Sequence, residues 1–428
     1  LAANAFKAAR KLMTVELNAG ITAIGADAFD GCVALREVRT GNLSDWIKIS
    51  FETEKSNPLY YAHNLVRYDG SLITTVGIMS SDPVEIKQHA FINATCLKTI
   101  NIFDYMTVAK GAFKGCDQIN YASMCSKHIS NVLGDILNNL TYFKLESGNE
   151  FPDNAFKGAA KLTTVKNAPK IIGAGAFAGC ASLKVFDSCG DVQQIGAGAL
   201  ENTAWYRSFT SGVLSLGHVI VRYKTNAVID LDNKDSYKAL NGGINVTAVY
   251  ENAFNEAVIN RLNVLPTTEM TYNKGAFNGS IVDVLTMRSF NRAEGSNSVL
   301  STLVNHNGNI NVIQYSSAAT ETELIMGGKG LTAGTINASG RNLVTVKIAG
   351  FENVNKIDLS KNALTKVTLS NVGHVGELCL NDNKLASLDI NGVLITKLIL
   401  SANNFKTLDL TLIRAKWISL NKNDITSL

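Results

Sequence analysis

The sequence is built around a repeated stretch, which is clearest at residues 24–35 as Ile-Gly-Ala-Asp-Ala-Phe-Asp-Gly-Cys-Val-Ala-Leu. Its core, Ala-Phe-x-Gly-Cys, returns at residues 112–116 and 176–180. Weaker copies are centred on Phe6, Phe91, Phe156, Leu200, Phe254 and Phe277. Neighbouring copies recur at a nearly constant interval, as from position 6 to 29, from 91 to 113 and from 156 to 177. A fixed period in the low twenties predicts a solenoid, in which one small unit is stacked repeatedly.

Each repeat predicts a strand, a loop and one short helical turn. In the second unit we expect Asp27 to cap the turn, Phe29 to pack inward and Gly31 to end the turn in the left-handed conformation. Asn93 and Asn202 replace this glycine in two copies, and asparagine tolerates left-handed backbone best after glycine. The same phenylalanine and glycine positions are occupied in the other clear copies by Phe113, Gly115, Phe177 and Gly179.

An apolar-x-x-apolar segment follows each turn and predicts a short strand. Such segments begin at Leu35, Leu97, Leu162 and Leu183. Strands that recur at one position of every unit align in register, so they predict a parallel sheet along one face of the solenoid, the concave face. The helical turns and loops then lie on the convex face.

Cys32, Cys116 and Cys180 share one repeat position, directly after the glycine. Ala159 and Ser280 stand there in other units. A position that accepts cysteine, alanine or serine indicates a small buried slot rather than a disulfide. The remaining cysteines show no Cys-x-x-Cys or Cys/His ligand spacing.

The N-terminal repeats extend over residues 1–280 with two interruptions, at about 41–88 and 203–250. In the first, an Asp69-Gly70 turn between strand-like stretches predicts a hairpin that leans off the solenoid, and the second is comparable. Residues 281–335 form an irregular seam of degenerate units, with strands expected at 282–286, 310–314 and 323–326.

From residue 336 to 428 the unit changes to Leu-x-Leu-x-x-Asn-x-Leu, a leucine-rich-repeat signature. Its asparagines also recur at a nearly constant interval, as Asn362, Asn383, Asn403 and Asn423. Their amides are expected to bond loop backbone groups of adjacent coils. Both unit types predict one continuous solenoid.

The motif Ile-Gly-x-x-Ala-Phe-x-Gly-Cys-x-x-Leu resembles the BspA-like (treponemal-type) leucine-rich repeat, found in surface proteins of host-associated bacteria and some parasitic protists. Residues 57–65 and 200–206 are similar to segments that recur in that family. The resemblance covers about residues 1–280 and implies a secreted or surface-anchored adhesion protein with no catalytic residues. Departures are the missing glycine in Phe254-Asn255-Glu256-Ala257 and the irregular stretch 281–335.

Composition and motifs argue against other classes of function. Lysine plus arginine (40) barely exceeds aspartate plus glutamate (36), without the concentrated basic patch that nucleic acid requires. No apolar run approaches the ~20 residues of a membrane-spanning helix. The six histidines are isolated, and no nucleophile elbow or zinc-protease motif occurs. We therefore expect no enzyme activity, no cofactor and no metal.

Two stretches resemble ligand sites only partly. Gly327-Gly328-Lys329-Gly330 lacks the residues that complete a phosphate loop and is interpreted as a turn. Asp230, Asp232 and Asp235 could hold calcium, although Lys234 stands where an oxygen ligand is needed. Calcium binding near Asp230 stays open.

Candidate binding residues are those that the repeat pattern leaves pointing outward. In the C-terminal coils these include Asp358, Glu377, Lys397, Trp417 and Asn421, with Cys379 expected beside them. Trp417 is either a binding hot spot or the cover of an edge that continues beyond this sequence. The aromatic pair Tyr60 and Tyr61 in the first interruption is a further candidate, with packing as its alternative role.

These features favour a non-enzymatic surface or secreted binding protein that recognises a protein or glycan ligand, with a host molecule among the candidates. The alternatives are a structural stalk that displays another domain, or a scaffold attached to a glycan-degrading domain. Because Leu1 lies inside a repeat, we expect an export signal to precede it. The ligand and the oligomeric state stay open.

Overall fold

The computed structural model describes residues 1–265, 269–273, 275–277, 279–287, 290–291, 309–315, 321–328, 330–390 and 392–427. It contains two compact units, unit 1 at residues 1–209 and unit 2 at residues 210–428. Lys329 of the expected glycine-rich turn lies outside the described residues.

Unit 1 consists of many short strands and a few one- or two-turn helices. The strands are β1 (Thr14–Leu17), β2 (Ala23–Ile24), β3 (Glu37–Thr40), β4 (Ser50–Phe51), β5 (Leu65–Arg67), β6 (Thr75–Val76), β7 (Val84–Ile86), β8 (Thr99–Ile102), β9 (Met106–Val108), β10 (Tyr121–Met124), β11 (Tyr142–Leu145), β12 (Glu150–Phe151), β13 (Thr164–Lys166), β14 (Ile171–Ile172), β15 (Val185–Asp187) and β16 (Gln194–Ile195). The helices are α1 (Leu43–Trp46), α2 (Leu59–Ala62), α3 (Ile129–Ile136) and α4 (Ala204–Arg207).

The strands of unit 1 stack in parallel, as expected for a leucine-rich-repeat solenoid. One sheet has the order β6-β8-β10-β11-β13-β15 and another the order β1-β3-β5. Two-residue strands form a second set of ladders, β2-β4 and β12-β14-β16, with β7-β9 between them in the chain. Each coil therefore pairs with its neighbours at more than one side, and the leucines and isoleucines of the strands fill the space between.

The Ala-Phe segments form tight turns stacked on one another rather than helical turns. Phe29 is fully buried, and Gly31 has a φ of 79°. The Phe6 N–H donates to the carbonyl of Ala28 in the next coil at 2.8 Å. The rings stack too, with centroids 5.2 Å apart for Phe6 and Phe29. The same ring stacking occurs between Phe91 and Phe113, Phe156 and Phe177, and Phe254 and Phe277.

The cysteine after the glycine lies in a closed slot. Cys32, Cys116 and Cys180 are fully buried, and all seven cysteines are free thiols. The Cys116 thiol donates to the carbonyl of Phe91 in the preceding coil at 2.9 Å. Burial raises the pKa of the Cys180 thiol to about 12, so it stays protonated at neutral pH. These thiols are therefore packing groups.

Two expectations about this turn are wrong. Asp27 does not cap a helix, because it is itself left-handed (φ 54°) and its carboxylate accepts from the Thr53 hydroxyl at 3.0 Å. The turn contains no α-helical N–H groups that need a cap. Asn202 does not adopt a positive φ, because the next residue, Thr203, already caps α4 by accepting from the Tyr206 N–H at 3.2 Å.

The first interruption is largely another coil. Strand β4 pairs in parallel with β2, and β5 pairs in parallel with β3. The expected hairpin is reduced to a tight turn at Gly70 (φ 84°) with one antiparallel bridge between Val66 and Leu72. Trp46 is fully buried and its indole N–H donates to the carbonyl of Ala90 at 2.9 Å. The tryptophan therefore holds this coil to the next one.

Unit 2 has longer strands. They are β17 (Gly212–Leu216), β18 (Val219–Lys224), β19 (Ile229–Leu231), β20 (Ala248–Val249), β21 (Val258–Asn263), β22 (Thr271–Tyr272), β23 (Ile281–Met287), β24 (Phe290–Asn291), β25 (Asn309–Tyr315), β26 (Glu323–Gly327), β27 (Thr332–Asn337), β28 (Thr345–Ala349), β29 (Asn353–Asp358), β30 (Lys366–Ser370), β31 (His374–Cys379), β32 (Leu394–Ile399) and β33 (Arg414–Ser419). Helix α5 spans Lys234–Leu240.

The described strands of unit 2 form three sheets, of which two are entirely parallel and the third, β17-β18-β20-β22, contains one hairpin. A nine-stranded sheet has the order β19-β21-β23-β25-β27-β29-β31-β32-β33, and a four-stranded sheet has the order β24-β26-β28-β30. The strands expected at 282–286, 310–314 and 323–326 are confirmed as β23, β25 and β26. In the second interruption β17 and β18 form an antiparallel hairpin, and β18 then pairs in parallel with β20. The hairpin is thus joined to the solenoid by its second strand.

The asparagines of the C-terminal coils bond loop backbone on both sides. The Asn383 amide nitrogen donates to the carbonyls of Leu359 in the previous coil and Leu380 in its own coil, both at 3.0 Å. Its oxygen accepts from the Leu364 N–H at 3.0 Å. Equivalent bonds are made by Asn362, Asn403 and Asn423. One side chain per coil therefore satisfies backbone groups that the tight turn leaves unpaired.

Candidate functional site

The outward side of the nine-stranded sheet brings most of the candidate residues together. In β29 the buried Val354 and Ile357 point inward, so Lys356 between them points outward. The parallel register aligns Lys356 with Glu377, Glu377 with Lys397, and Lys397 with Trp417. We call these four residues, on four successive strands, the outward row.

The outward row is linked by charge. Glu377 forms ion pairs with Lys356 at 3.4 Å and with Lys397 at 3.1 Å. The Lys397 ammonium lies 5.4 Å from the centre of the Trp417 ring, a cation–π contact. Exposed ion pairs contribute little to folding, typically below about 1 kcal/mol. Their effect here is to orient the side chains across adjacent strands.

Cys379 was expected to point outward beside this row, but it is only 5% exposed. Its thiol donates to the Glu377 carboxylate at 3.2 Å. This bond, together with Lys397, holds the pKa of Glu377 below its usual value. Burial and the Glu377 carboxylate raise the pKa of the Cys379 thiol to about 12. Cys379 is therefore a buried donor that fixes Glu377 rather than a contact residue.

Asp358 lies next to the outward row at the end of β29. Its carboxylate accepts from the backbone N–H of Ser360 at 3.2 Å and from the Ser360 hydroxyl at 2.7 Å. It also pairs with Lys356 at 3.5 Å. Asn421 follows β33, is exposed, and accepts from the Ala402 N–H through its backbone carbonyl at 2.8 Å. Asp358 is thus held by its own turn, whereas the side chain of Asn421 faces solvent.

Two cations beside Trp417 were not among the sequence candidates. Arg414 aligns with Leu394 in the register, and Lys416 lies between the inward Ala415 and the outward Trp417. Both side chains are exposed, and Trp417 itself is 51% exposed. Comparing the outward positions of all coils, rather than those of the signature alone, would have identified them.

Tyr60 and Tyr61 lie in unit 1 and take no part in the outward row. The two rings contact each other at 5.0 Å in α2. The Tyr61 hydroxyl accepts from the Gly31 N–H at 3.0 Å and donates to the Asp30 carboxylate at 3.3 Å. Tyr61 therefore ties α2 to the turn of an earlier coil.

Unit 1 also carries an aromatic pair on its sheet that the sequence candidates did not include. Tyr121 and Tyr142 are register partners on β10 and β11. Their rings are stacked 4.9 Å apart and half-buried. The signal was present in the sequence, because both tyrosines occupy the same strand position of successive repeats.

Of the aspartates considered for calcium, Asp232 and Asp235 lie at the start of α5, whereas Asp230 lies in β19. Asn233 caps α5 by accepting from the N–H groups of Asp235 and Ser236. The Asp232 carboxylate accepts from the Asn233 amide at 2.9 Å and from the Ser236 hydroxyl at 3.2 Å. Asp230 accepts from the Asn260 amide at 2.9 Å. In the described residues, no three His, Cys, Asp or Glu side chains come together in a way that could hold a metal ion.

No described helix combines the length and apolar character needed to cross a bilayer. Residues 1–65, 67–142 and 135–213 match the family of BspA type leucine rich repeat regions, in 6 copies. No curated protein matches the sequence.

Among solved structures, a chain of the TLR13–ssRNA13 crystal structure is 12% identical, with 94% of this chain and 62% of that chain covered and a TM-score of 0.21. A chain of the Toll–Spatzle complex from Drosophila is 11% identical, with coverages of 96% and 58% and a TM-score of 0.20. This chain therefore spans less than two thirds of either.

Proposed function

Since the chain belongs to the BspA-type leucine-rich repeat family through residues 1–65, 67–142 and 135–213, we propose that it is a non-enzymatic adhesin-like protein, secreted or displayed at a cell surface, that binds another protein. Leucine-rich repeats of this kind are protein-interaction scaffolds, and BspA-type repeats are associated with surface or secreted proteins. The partner contacts the outward row of unit 2.

The observation that carries this proposal is the exposed Trp417 at the end of the outward row. Trp417 has the register position that Lys356, Glu377 and Lys397 have in earlier coils, which supports a role for it on the outward face of the sheet. Tryptophan is enriched among the few residues that dominate protein interfaces, where loss of such a side chain costs about 2 kcal/mol or more. Charged neighbours around it supply orientation and a polar rim.

The test is a panel of purified matrix and cell-surface proteins, with a glycan array beside it, probed with the whole chain. Any protein that binds is measured again with Trp417→Ala. We expect the affinity to fall by about 30-fold, which corresponds to about 2 kcal/mol. Circular dichroism and the unfolding temperature establish that the variant is folded.

Leu412→Ala is the matched control, because Leu412 is a similarly exposed apolar residue (54%) in the same coil but lies outside the outward row. It should leave binding unchanged. Equal effects of the two substitutions would contradict a role for the outward row. Binding to glycans alone would mean that the partner is a glycan and not a protein. Absence of binding in both panels would favour the structural stalk.

A further inference from the structure

The outward face around Trp417 carries more positive than negative charge. Strands β29, β31, β32 and β33 together contain the cations Lys356, Lys397, Arg414 and Lys416 and only two carboxylates, Asp358 and Glu377, a net charge of +2. The chain as a whole is nearly neutral for its length, with +4 over 428 residues. The surplus on these four strands is therefore local.

Both carboxylates of this face are already engaged. Asp358 pairs with Lys356 and accepts two bonds from Ser360. Glu377 bridges Lys356 and Lys397 and accepts from the Cys379 thiol. Neither carboxylate is left to neutralise the cations of β33.

Arg414 and Lys416 form no ion pair with any described residue, although both are exposed on the strand that carries Trp417. Their charges and the half-exposed indole thus lie on the same strand, with Lys397 against the ring. This patch, Lys397 with Arg414, Lys416 and Trp417, is called the β33 patch. A complementary surface must supply negative charge at its edge and an apolar group over the indole.

Resting on the proposed function, we propose that the β33 patch binds a protein segment in which acidic side chains flank one aliphatic or aromatic residue. The apolar residue packs on the indole, and the carboxylates pair with Arg414 and Lys416. Arginine suits this role because its planar group donates to both oxygens of a carboxylate. Lys356 and Glu377 neutralise each other in an ion pair, so this part of the outward row adds little net charge. In the complex it helps to exclude water from the contact with Trp417.

A nucleic acid partner is a separate class and fits less well. Binding a phosphate backbone requires many cations along its path, since each neutralised phosphate contributes one step of counterion release. Two uncompensated cations on one strand do not form such a path. Single-stranded RNA is nevertheless included among the probes, so that this outcome can be observed.

The probe is a displayed library of random peptides, selected on the immobilised whole chain. Selected peptides are measured against the wild type, Trp417→Ala, the double variant Arg414→Ala/Lys416→Ala, and a control double variant Lys366→Ala/Lys384→Ala. The control removes two exposed lysines that lie outside the β33 patch. All variants are compared by circular dichroism and thermal unfolding before binding is measured.

We expect the selected peptides to be enriched in Asp and Glu around one apolar residue. Removal of Arg414 and Lys416 should weaken their binding about fivefold, and high salt should weaken wild-type binding by a similar factor. The control variant should bind as the wild type does.

The outcomes separate the two proposals. Peptides that depend on Trp417 but show no acidic enrichment or salt dependence would overturn the acidic partner while leaving the proposed function intact. Absence of any peptide that depends on Trp417 would count against both. Binding of a single-stranded RNA oligomer that is lost in the Arg414/Lys416 variant would overturn the protein segment as the occupant.

Discussion

In each of the described tight turns formed by the Ala-Phe segments and by the Ala-Leu copy at Leu200, the residue two positions before the central phenylalanine or leucine has a left-handed backbone. These positions are Asn4, Asp27, His89, Gly111, Asn154, Gly175, Gly198, Asn252 and Gly275. The repeat pattern predicted only the second left-handed position, two residues after the phenylalanine. At that second position Ala8 and Glu256 are left-handed as well, although neither is glycine or asparagine. Stacking on the neighbouring coils therefore overrides the local preference of those two residues.

The glycine that follows isoleucine at the start of the repeat is required for a different reason than a positive φ. At Gly196 the φ is ordinary, but a Cβ would lie 2.4 Å from the backbone nitrogen of Ala174 in the previous coil. Gly173 is similarly close to the backbone nitrogen of Asp153, at 2.6 Å. Here glycine is required because two coils approach each other closely, and no single-coil pattern shows this.

Gly196→Ala is expected to lower the free energy of unfolding of unit 1 by about 1–3 kcal/mol, since backbone must move to admit the methyl group. Urea denaturation followed by circular dichroism measures this. Gly190→Ala is the control, because no atom lies within 4 Å of the added Cβ and the φ is not positive. A loss of equal size at both positions would show that close approach is not the cause.

At the level of elements, the period predicted the short strands well because inward leucines must alternate on a strand. Helix α3 was not predicted. It replaces an Ala-Phe turn in one coil and buries Ile129, Val132, Leu133 and Ile136 on one face. The apolar residues of α3 follow the helical spacing for only two turns. The strand pattern of the repeats on either side is stronger than so short a signal, so the helix is not evident from the sequence.

We expect the buried His128 to make the α3 coil sensitive to acid. The residue is 4% exposed, precedes α3, and its Nε2 has no hydrogen-bond partner. Burial first, and then Lys127, lower the pKa of His128, while the Phe103 carbonyl and Asp104 oppose them. Asp104 is already paired with Lys127 at 2.9 Å. Protonation would place a buried positive charge at the positive end of the helix.

The direction of the pH dependence follows. Because the pKa of His128 is lower in the folded chain than the ordinary value of about 6.5, the unfolded chain takes up the proton first. The free energy of unfolding should therefore be highest above about pH 6.5 and fall as the pH falls towards the lowered pKa. Urea titrations at a series of pH values should show this decline.

Replacing His128 by glutamine should remove part of the decline, whereas replacing the exposed His63 by glutamine should not. If the two variants followed the same pH curve as the wild type, the buried imidazole would not be the cause.

On the scale of the whole molecule, the sequence predicted where an outward row must lie but not its charge balance. The positions of Lys356, Glu377, Lys397 and Trp417 follow from the leucine register alone, as does that of the neighbouring Asp358. Cys379 is buried and fixes Glu377, and Arg414 and Lys416 have no ion-pair partner among the described residues. Both facts depend on side-chain conformations across neighbouring strands, which spacing does not specify. One continuous solenoid through both units stays a prediction.

The stacked asparagines Asn362, Asn383, Asn403 and Asn423 offer a way to measure how far a local loss of stability spreads from one coil to the next. Asn383→Ala leaves the buried N–H of Leu364 unpaired, whereas the carbonyls of Leu359 and Leu380 keep bonds from Asn362 and Asn403. We expect a loss of roughly 2 kcal/mol. Amide hydrogen exchange should quicken in β29 to β32 and stay unchanged in β19 and β21, because each coil contacts only its neighbours.

The exposed Asn404 provides the control, since its amide makes only one long bond of 3.5 Å, to the carbonyl of Lys384. Asn404→Ala should change stability by less than about 0.5 kcal/mol. Faster exchange throughout unit 2 after Asn383→Ala would instead indicate a single cooperative unit.

The stacked turns of unit 1 have a consequence for how such a gene changes. The rings of Phe29, Phe113 and Phe177 each stack on the phenylalanine ring of the preceding coil. The cysteine of the same turn donates its thiol to the carbonyl of that preceding phenylalanine. An in-frame duplication or deletion between two equivalent codons therefore joins surfaces that already fit. Genes of this type can change length in steps of one coil through unequal recombination, without requiring a compensating mutation.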